Sequence, residues 1–295
     1  MANHKSSLTG FQREPNGELW LWDDLPQLEM EVGYKAEAVL HYEQSAYQEI
    51  SIVDTKGFGR MLVLDGTPQV TTKDGFIYNE MITHIAMTTH PAPRKIAMIG
   101  GGDCGPAGEA LRYNTVEQAD IVEIDKRVVE VCKTWMPHAA AVEADKRVRL
   151  VYADGFRWIQ SHKKAFDVLL IDRSDSYGPA TPLYKPVFYQ YVHDSLKEDG
   201  IAVIQSGSPY YNTASLRNTV RSMKKLFPVV RVYLCAIPSF PGGVWSFTIA
   251  SKRWDPLEAD LSRLQCEHTQ YINAPLFRSC FQLPSYVSRL LSSES

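Results

Sequence analysis

The chain has 295 residues, 44% of them hydrophobic and 22% charged, with a net charge of −3. That is enough apolar material for a full core, which excludes a disordered chain, and its scattered lysines and arginines form no basic stripe for a nucleic-acid partner. No apolar run approaches the roughly 20 residues that span a bilayer, the start MANHKSSLTG lacks the apolar stretch of a signal peptide, and the five cysteines form neither a CxxC pair nor a metal-ligand spacing, so a soluble protein of the reducing cytoplasm is expected.

In chain order, residues 1–30 mix glycine, proline and acidic residues around Trp20 and Trp22, which predicts a loose N-terminal arm pinned at its tryptophans. Residues 31–75 hold the β-branched segments AEAVLHYE, QEISIVD and RMLVLDG, separated by short polar turns. They predict a small antiparallel β domain, and its apolar strand 61–64 looks too exposed for so small a unit to cover, which suggests oligomerisation. Residues 76–295 are expected to form one catalytic domain. It opens with a helix over 75–90 that buries Phe76, Met81, Ile82 and Ile85 on one face and stops at His90-Pro91-Ala92-Pro93. From 96 to about 236 apolar strands alternate with helices, the pattern of a parallel sheet, and Gly242-Gly243 before 244–250 marks a closing hairpin strand. The fold class is therefore α/β: a Rossmann-like, methyltransferase-type parallel sheet with a C-terminal antiparallel hairpin, plus the small N-terminal β domain.

The chemistry sits at the strand ends. Segment 96–105, IAMIGGGDCG, is an apolar run that stops at Gly100, Gly101, Gly102 and Asp103, as where a buried strand turns sharply and a ligand lies against bare backbone. Gly100, Gly102 and Gly105 match the dinucleotide fingerprint, and Glu123, at the end of the run 119–122, is placed to accept both hydroxyls of a ribose. NAD enzymes and S-adenosylmethionine enzymes share this arrangement. The next two strands, 147–152 and 166–171, lead into Asp154-Gly155 and into Asp172-Arg173-Ser174-Asp175. Asp103, Glu123, Asp154, Asp172 and Asp175 would then line one crevice, a poor wall for a pyrophosphate and a good one for cations. Asp154 reads equally as the N-cap of the helix starting near Phe156. Cys104 reads as a small residue in a tight turn, Met81, Met87 and Met98 as core, and His84, His90, His138 and His193 as surface or capping residues, with no metal site among them.

GGGDCG, the Glu123-Ile124-Asp125 triplet, Asp154-Gly155-Phe156, DRSD with the following YGPATPLY, and IPSFPGG resemble the polyamine aminopropyltransferases. So do Leu40-His41-Tyr42-Glu43, Tyr47-Gln48-Glu49, MLVLDG and Tyr78-Asn79-Glu80-Met81, and the likeness runs over residues 34–290. It implies transfer of the aminopropyl group of decarboxylated S-adenosylmethionine, a co-substrate, to a diamine such as putrescine, giving spermidine and methylthioadenosine without a prosthetic group. A relative using S-adenosylmethionine itself, as an amine N-methyltransferase or 3-amino-3-carboxypropyltransferase, is the alternative. The resemblance further implies a homodimer or homotetramer.

By the same resemblance, Asp172 is the base, Asp175 holds the amine, and Tyr78 adds a hydroxyl. Glu123 takes the ribose, Asp154 and Gly155 the adenine, Gln48 the sulfur-bearing portion, and Asp103 the primary amine of the donor, beside Gly100, Gly101 and Gly102. Asn79, Pro179, Gln205 and Phe240 join the acceptor site, Pro179 within a lid. Departures from the family pattern cluster there: Arg173 stands where a small residue is usual, Phe240 for a tyrosine, Gly75 for a glutamate, Ser176 for a proline and Asn79 for a glutamine or histidine. Arg173 is free on this reading to pair with Asp172 or Asp175, to contact an acidic substrate, or to point outward.

Overall fold

The computed structural model describes residues 8–174 and 178–292. Strands β1 (Phe11–Arg13), β2 (Leu19–Leu25) and β3 (Met30–Ala36) form an antiparallel sheet. The segment expected to be a loose arm is therefore paired β structure from residue 11 to 25. Strands β4 (Ala38–Gln44), β5 (Glu49–Thr55), β6 (Gly59–Leu64) and β7 (Thr67–Thr71) form a second antiparallel sheet in sequential order.

Alternate side chains on a strand point to opposite faces, and here both faces are covered. Val53, Met61 and Val63 meet Leu21, Tyr34 and Ala36 of the first sheet, whereas Ile50, Ile52 and Leu62 enter the main core. Met61, Leu62 and Val63 are at most 3% exposed. The apolar run 61–64 thus reflects a strand buried on two sides, and the expectation that it lies uncovered is corrected: β1 to β3 cover it within the chain.

Helix α1 (Gly75–Thr89) follows, buried on nearly every side and not along one stripe, with Phe76 only partly covered. Its Ile77, Met81, Ile82 and Ile85 share one core with Ile50 and Ile52 of the small sheet and Met98 and Val203 of the large one. Glu80, 1% exposed, accepts the backbone N–H groups of Gln270, Tyr271 and Ile272 at 2.8, 2.9 and 2.9 Å and so ties the C-terminal segment to α1.

The large sheet contains β8 (Lys95–Gly100), β9 (Gln118–Glu123), β10 (Val148–Tyr152), β11 (Phe166–Asp172), β12 (Leu196–Gly207), β13 (Val229–Ala236) and β14 (Val244–Ser251), in the spatial order β10-β9-β8-β11-β12-β14-β13. The first five are parallel, and β14 runs antiparallel between β12 and β13. The expected α/β class with a closing hairpin is what the chain forms. Helices α2 (Gly105–Ala110), α3 (Lys126–Trp135) and α4 (Ala139–Glu143) pack with α1 on one face, and α5 (Gly155–Gln160), α6 (Pro186–Ser195) and α7 (Thr213–Lys224) on the other. Helices α8 (Ala274–Ser279) and α9 (Ser285–Ser292) end the described chain. Among the described residues no helix is long and apolar enough to cross a membrane. The chain runs outward from β8 to β10 and then returns to the other side of β8 as β11. Strand order reverses between β8 and β11, and a crevice opens beyond their carboxyl ends.

Candidate active site

A cavity of about 290 Å³ occupies that crevice. Glycine is required at its floor. Gly100 and Gly101 have φ of 84° and 76°, and a Cβ on Gly100 would lie 1.9 Å from the Asp172 carbonyl oxygen. A Cβ on Gly102 would stand 3.1 Å from a Glu123 carboxylate oxygen. Bare backbone here lets the Asp172 main chain and the Glu123 side chain close around the loop. Cys104 completes the turn with φ of 64°, its N–H donating to the Gly101 carbonyl at 2.8 Å. Its thiol is wholly buried and pushed up to about 12, chiefly by burial, which makes it a packing group with no thiolate to offer.

Asp103, Glu123, Asp154 and Asp172 all line the cavity, with Gly100, Gly101, Gly102 and Gly155. Burial raises the Asp172 carboxyl to about 7, Asp103 adds to the rise, and a hydrogen bond from the Tyr78 hydroxyl opposes it. Tyr78 is itself raised well above its ordinary value, by burial first and then by Asp172, so it remains a proton donor. Burial likewise raises Glu123 to about 7, against the N–H of Asp125 that donates to it at 2.9 Å. Both carboxyls open partly onto the cavity. Asp154 fills both of its expected places: one oxygen caps α5 by accepting the Phe156 N–H at 2.9 Å, and the residue borders the cavity. Gly155 allows that helix to press against Ile99, which a Cβ would meet at 2.4 Å.

The side of the cavity expected from the sequence to take the acceptor is built by α1 and the loop before β14. Asp74 accepts hydrogen bonds from Thr71 Oγ1 at 2.6 Å and from the Ser239 N–H at 2.7 Å, joining the start of α1 to residues 237–243. Gly75 follows because a side chain there would strike Val70 at 2.6 Å. Tyr78 then faces Phe240 at 6.1 Å between ring centroids, and Asn79 packs on Gly105 while bordering the cavity. Gln48 lines the same cavity, its amide donating to Asp125 at 3.1 Å. Gln205 is there too, but both ends of its amide bind backbone: Nε2 donates to the Arg173 carbonyl at 2.7 Å and Oε1 accepts the Gly207 N–H at 2.7 Å. Gln205 therefore shapes the wall. Pro179 lies on the 3-10 helix Gly178–Tyr184, whose Ala180 and Leu183 reach the cavity. Asp175 and Ser176 lie outside the described residues.

Arg173 does not point outward, and among the described residues no hydrogen bond joins it to Asp172; the expected pairing with Asp175 lies outside the described residues. It borders the cavity yet is 2% exposed, and its guanidinium donates to the Leu183 carbonyl at 2.6 Å, to the Tyr189 hydroxyl at 3.1 Å and to Thr219 Oγ1 at 2.9 Å. Its guanidinium stacks 3.7 Å over the Tyr184 ring. Asp23, Asp65 and Trp245 also border the cavity and were not foreseen. Asp23 belongs to β2, within the supposed arm, and no local pattern marks it. A signal for Trp245 did exist, since Phe240 lies only five residues earlier in the same hairpin, and their rings meet edge to face at 4.7 Å. Of the histidines read as surface or capping groups, His84 is instead fully buried between the Tyr113 hydroxyl and Glu109, and His90 caps the carboxyl end of α1 while buried, whereas His138 takes the N-cap position of α4 with its side chain 40% exposed, beside Asp103.

Away from the cavity, His90, Asp167 and Asp199 come close enough to suggest a metal site. The Asp167 carboxylate already holds Lys197 with both oxygens at 2.9 Å, and His90 Nδ1 accepts the Ala92 N–H, which leaves the proton on Nε2 and no lone pair to give.

Residues 75–260 match the family model described as "Spermine/spermidine synthase domain", and residues 23–72 match the "Spermidine synthase tetramerisation domain". A polyamine aminopropyltransferase of Caldicellulosiruptor saccharolyticus is 41% identical over 276 residues, 93% of this chain and 98% of that one. The Clostridium kluyveri protein of the same name is 39% identical over 274 residues, covering 92% and 99%. Among solved structures, a spermidine synthase in complex with the transition-state analogue AdoDATO superimposes with a TM-score of 0.90 at 33% identity, covering 95% of this chain and 97% of that one. The spermidine synthase of Thermotoga maritima gives 0.89 at 33% identity, covering 95% and 96%.

Proposed function

The chain belongs to the spermine/spermidine synthase family, and from that premise we propose that it moves the aminopropyl group of decarboxylated S-adenosylmethionine to a diamine such as putrescine, giving spermidine and methylthioadenosine. The observation that carries the reading is the Tyr78 to Asp172 hydrogen bond at the wall of an acidic cavity, with Asp172 held near neutrality.

The electrophile is a methylene next to a sulfonium, which is already a good leaving group. The obstacle is the nucleophile, because an alkylamine with a pKa near that of lysine, about 10.4, is protonated at neutral pH and has no lone pair. In the proposed step the amine loses a proton to an Asp172 oxygen, and its lone pair attacks the methylene. The carbon–sulfur bond breaks with its electron pair passing to sulfur, which leaves as the neutral thioether of methylthioadenosine. Tyr78 orients the carboxylate, and Glu123 and Asp154 hold ribose and adenine. Asp103 takes the ammonium of the donor, and the carboxylates Asp23 and Asp65 add to the attraction for a polycation. Holding both substrates in one cavity makes the displacement effectively unimolecular. The match to a domain named for tetramerisation supports self-association, as a dimer or tetramer.

The test is to incubate the protein with each sulfonium donor and a panel of amines and to weigh the products. Methylthioadenosine with an aminopropylated amine is the expected result. S-adenosylhomocysteine, or methylthioadenosine formed only from intact S-adenosylmethionine, would overturn the reading.

A further inference from the structure

His138 precedes α4 and does not border the cavity, yet its Nε2 lies 3.6 Å from Asp103 Oδ2. Both atoms are buried, and neither has a hydrogen-bond partner among the described residues. Asp103, 7% exposed, therefore has the cavity on one side and an imidazole on the other. The remaining charged groups around that imidazole offer it no alternative acceptor: Glu109 on α2 is engaged by His84 and Arg112, and Glu143 on α4 is engaged by Lys133.

We infer that His138 is a positioning residue that shares the Asp103 carboxylate with the ammonium of the donor, so that donor capture is coupled to loss of a proton from His138. This rests on the reading of Asp103 as the donor's ammonium site. As an imidazolium, His138 neutralises Asp103 and sets a like charge a few ångströms from the arriving ammonium. As a neutral ring it still steadies the carboxylate and leaves its charge to the ligand. The facing Asp103 carboxylate, opposed by burial, raises His138 above the ordinary imidazole range, and its partly exposed ring can exchange the proton with solvent. The sign follows: below the raised value the proton stays and opposes the donor, and above it the opposition is gone. By linkage, an ammonium on Asp103 must in turn lower the proton affinity of His138.

Methylthioadenosine supplies the reference ligand, since it carries the nucleoside without the ammonium or the sulfonium charge. Affinities of decarboxylated S-adenosylmethionine and methylthioadenosine would be measured by calorimetry between pH 6 and 8.5, each in two buffers of different ionisation heat. Glu123 and Asp172, both raised to about 7, also respond to the added charge of the donor, so the contribution of His138 is read as the difference between wild type and His138→Gln. For the wild type the ratio of the two affinities should rise about tenfold more with pH than for His138→Gln, matching a proton affinity of His138 that the bound ammonium lowers by the same factor. The amine-bearing ligand should also release more protons than the reference. In His138→Gln that part of the rise should be lost and the extra release should fall accordingly, with methylthioadenosine affinity unchanged. A His138→Gln ratio that still follows the wild-type curve overturns the inference and leaves the reading of Asp103 standing. Asp103→Asn separates the two, because a ratio that survives this change at every pH removes Asp103 as the ammonium site and the inference with it.

Discussion

At Asp172 the burial that makes a base useful also makes the folded chain less stable. A carboxyl raised to about 7 is roughly half ionised at neutral pH, which suits the proposed base, able to accept and return a proton within one cycle. Asp172→Asn keeps the shape and loses the basicity. Turnover should fall by about two orders of magnitude or more while methylthioadenosine affinity holds, because the proposed reading puts ribose and adenine on Glu123 and Asp154. Near-wild-type turnover would shift the base elsewhere. The stability effect has the opposite sign. A folded-state value of about 7 exceeds the ordinary carboxyl value near 3.9, so the fold favours the protonated form, and that contribution is complete in acid and lost as pH rises through about 7. Cavity water screens part of the charge, which limits the effect to about 1 to 2 kcal/mol. Asp172→Asn should thus unfold at higher denaturant than wild type at pH 8, with the two midpoints converging toward pH 4. A variant less stable at pH 8 would refute this account.

At the scale of the element, the end of β11 and the segment that closes over it are joined by Arg173. One guanidinium binds the Leu183 carbonyl, the Tyr189 and Thr219 hydroxyls and the Tyr184 ring, while the Tyr184 hydroxyl donates back to the Ser174 carbonyl at 2.8 Å. Arg173→Ala leaves buried acceptors without a donor and a void behind the site, which should lower stability by about 2 kcal/mol. Because Ala180 and Leu183 of this segment line the cavity, the variant should also raise KM for the amine several-fold and affect methylthioadenosine affinity little. Unfolding midpoints and steady-state kinetics read the two effects separately, and an unchanged KM would detach this helix from the acceptor site. Arg173 also marks a limit of sequence reading. Its type and position are visible in DRSD, but its direction depends on Thr219, 46 residues away on α7.

The whole molecule places two small sheets over one end of a large one. Self-association argued from an uncovered strand at 61–64 loses its footing, because β1 to β3 cover that strand. The expectation rests on the family match over 23–72 and on surfaces other than that core. Light scattering at micromolar concentration should give a mass of two or four times 33.3 kDa. A value near the single-chain mass would count against it.

The sequence by itself determined the order of strands and helices, the glycine turn at 100–102 and the acidic residues at the strand ends, because each depends on the spacing and chemistry of neighbours a few residues apart. It missed β1 and β2, where Leu19-Trp20-Leu21-Trp22 is apolar without alternation and lies among turn-forming residues. Only the tertiary structure decided that Asp23 reaches the cavity, that the Arg173 guanidinium is held by Leu183, Tyr189 and Thr219 and that His138 stands behind Asp103. The elevated proton affinity of Asp172 belongs with these. Such features arise from side chains brought together from distant parts of the chain and from the water that their packing removes, and neither is written in any local window.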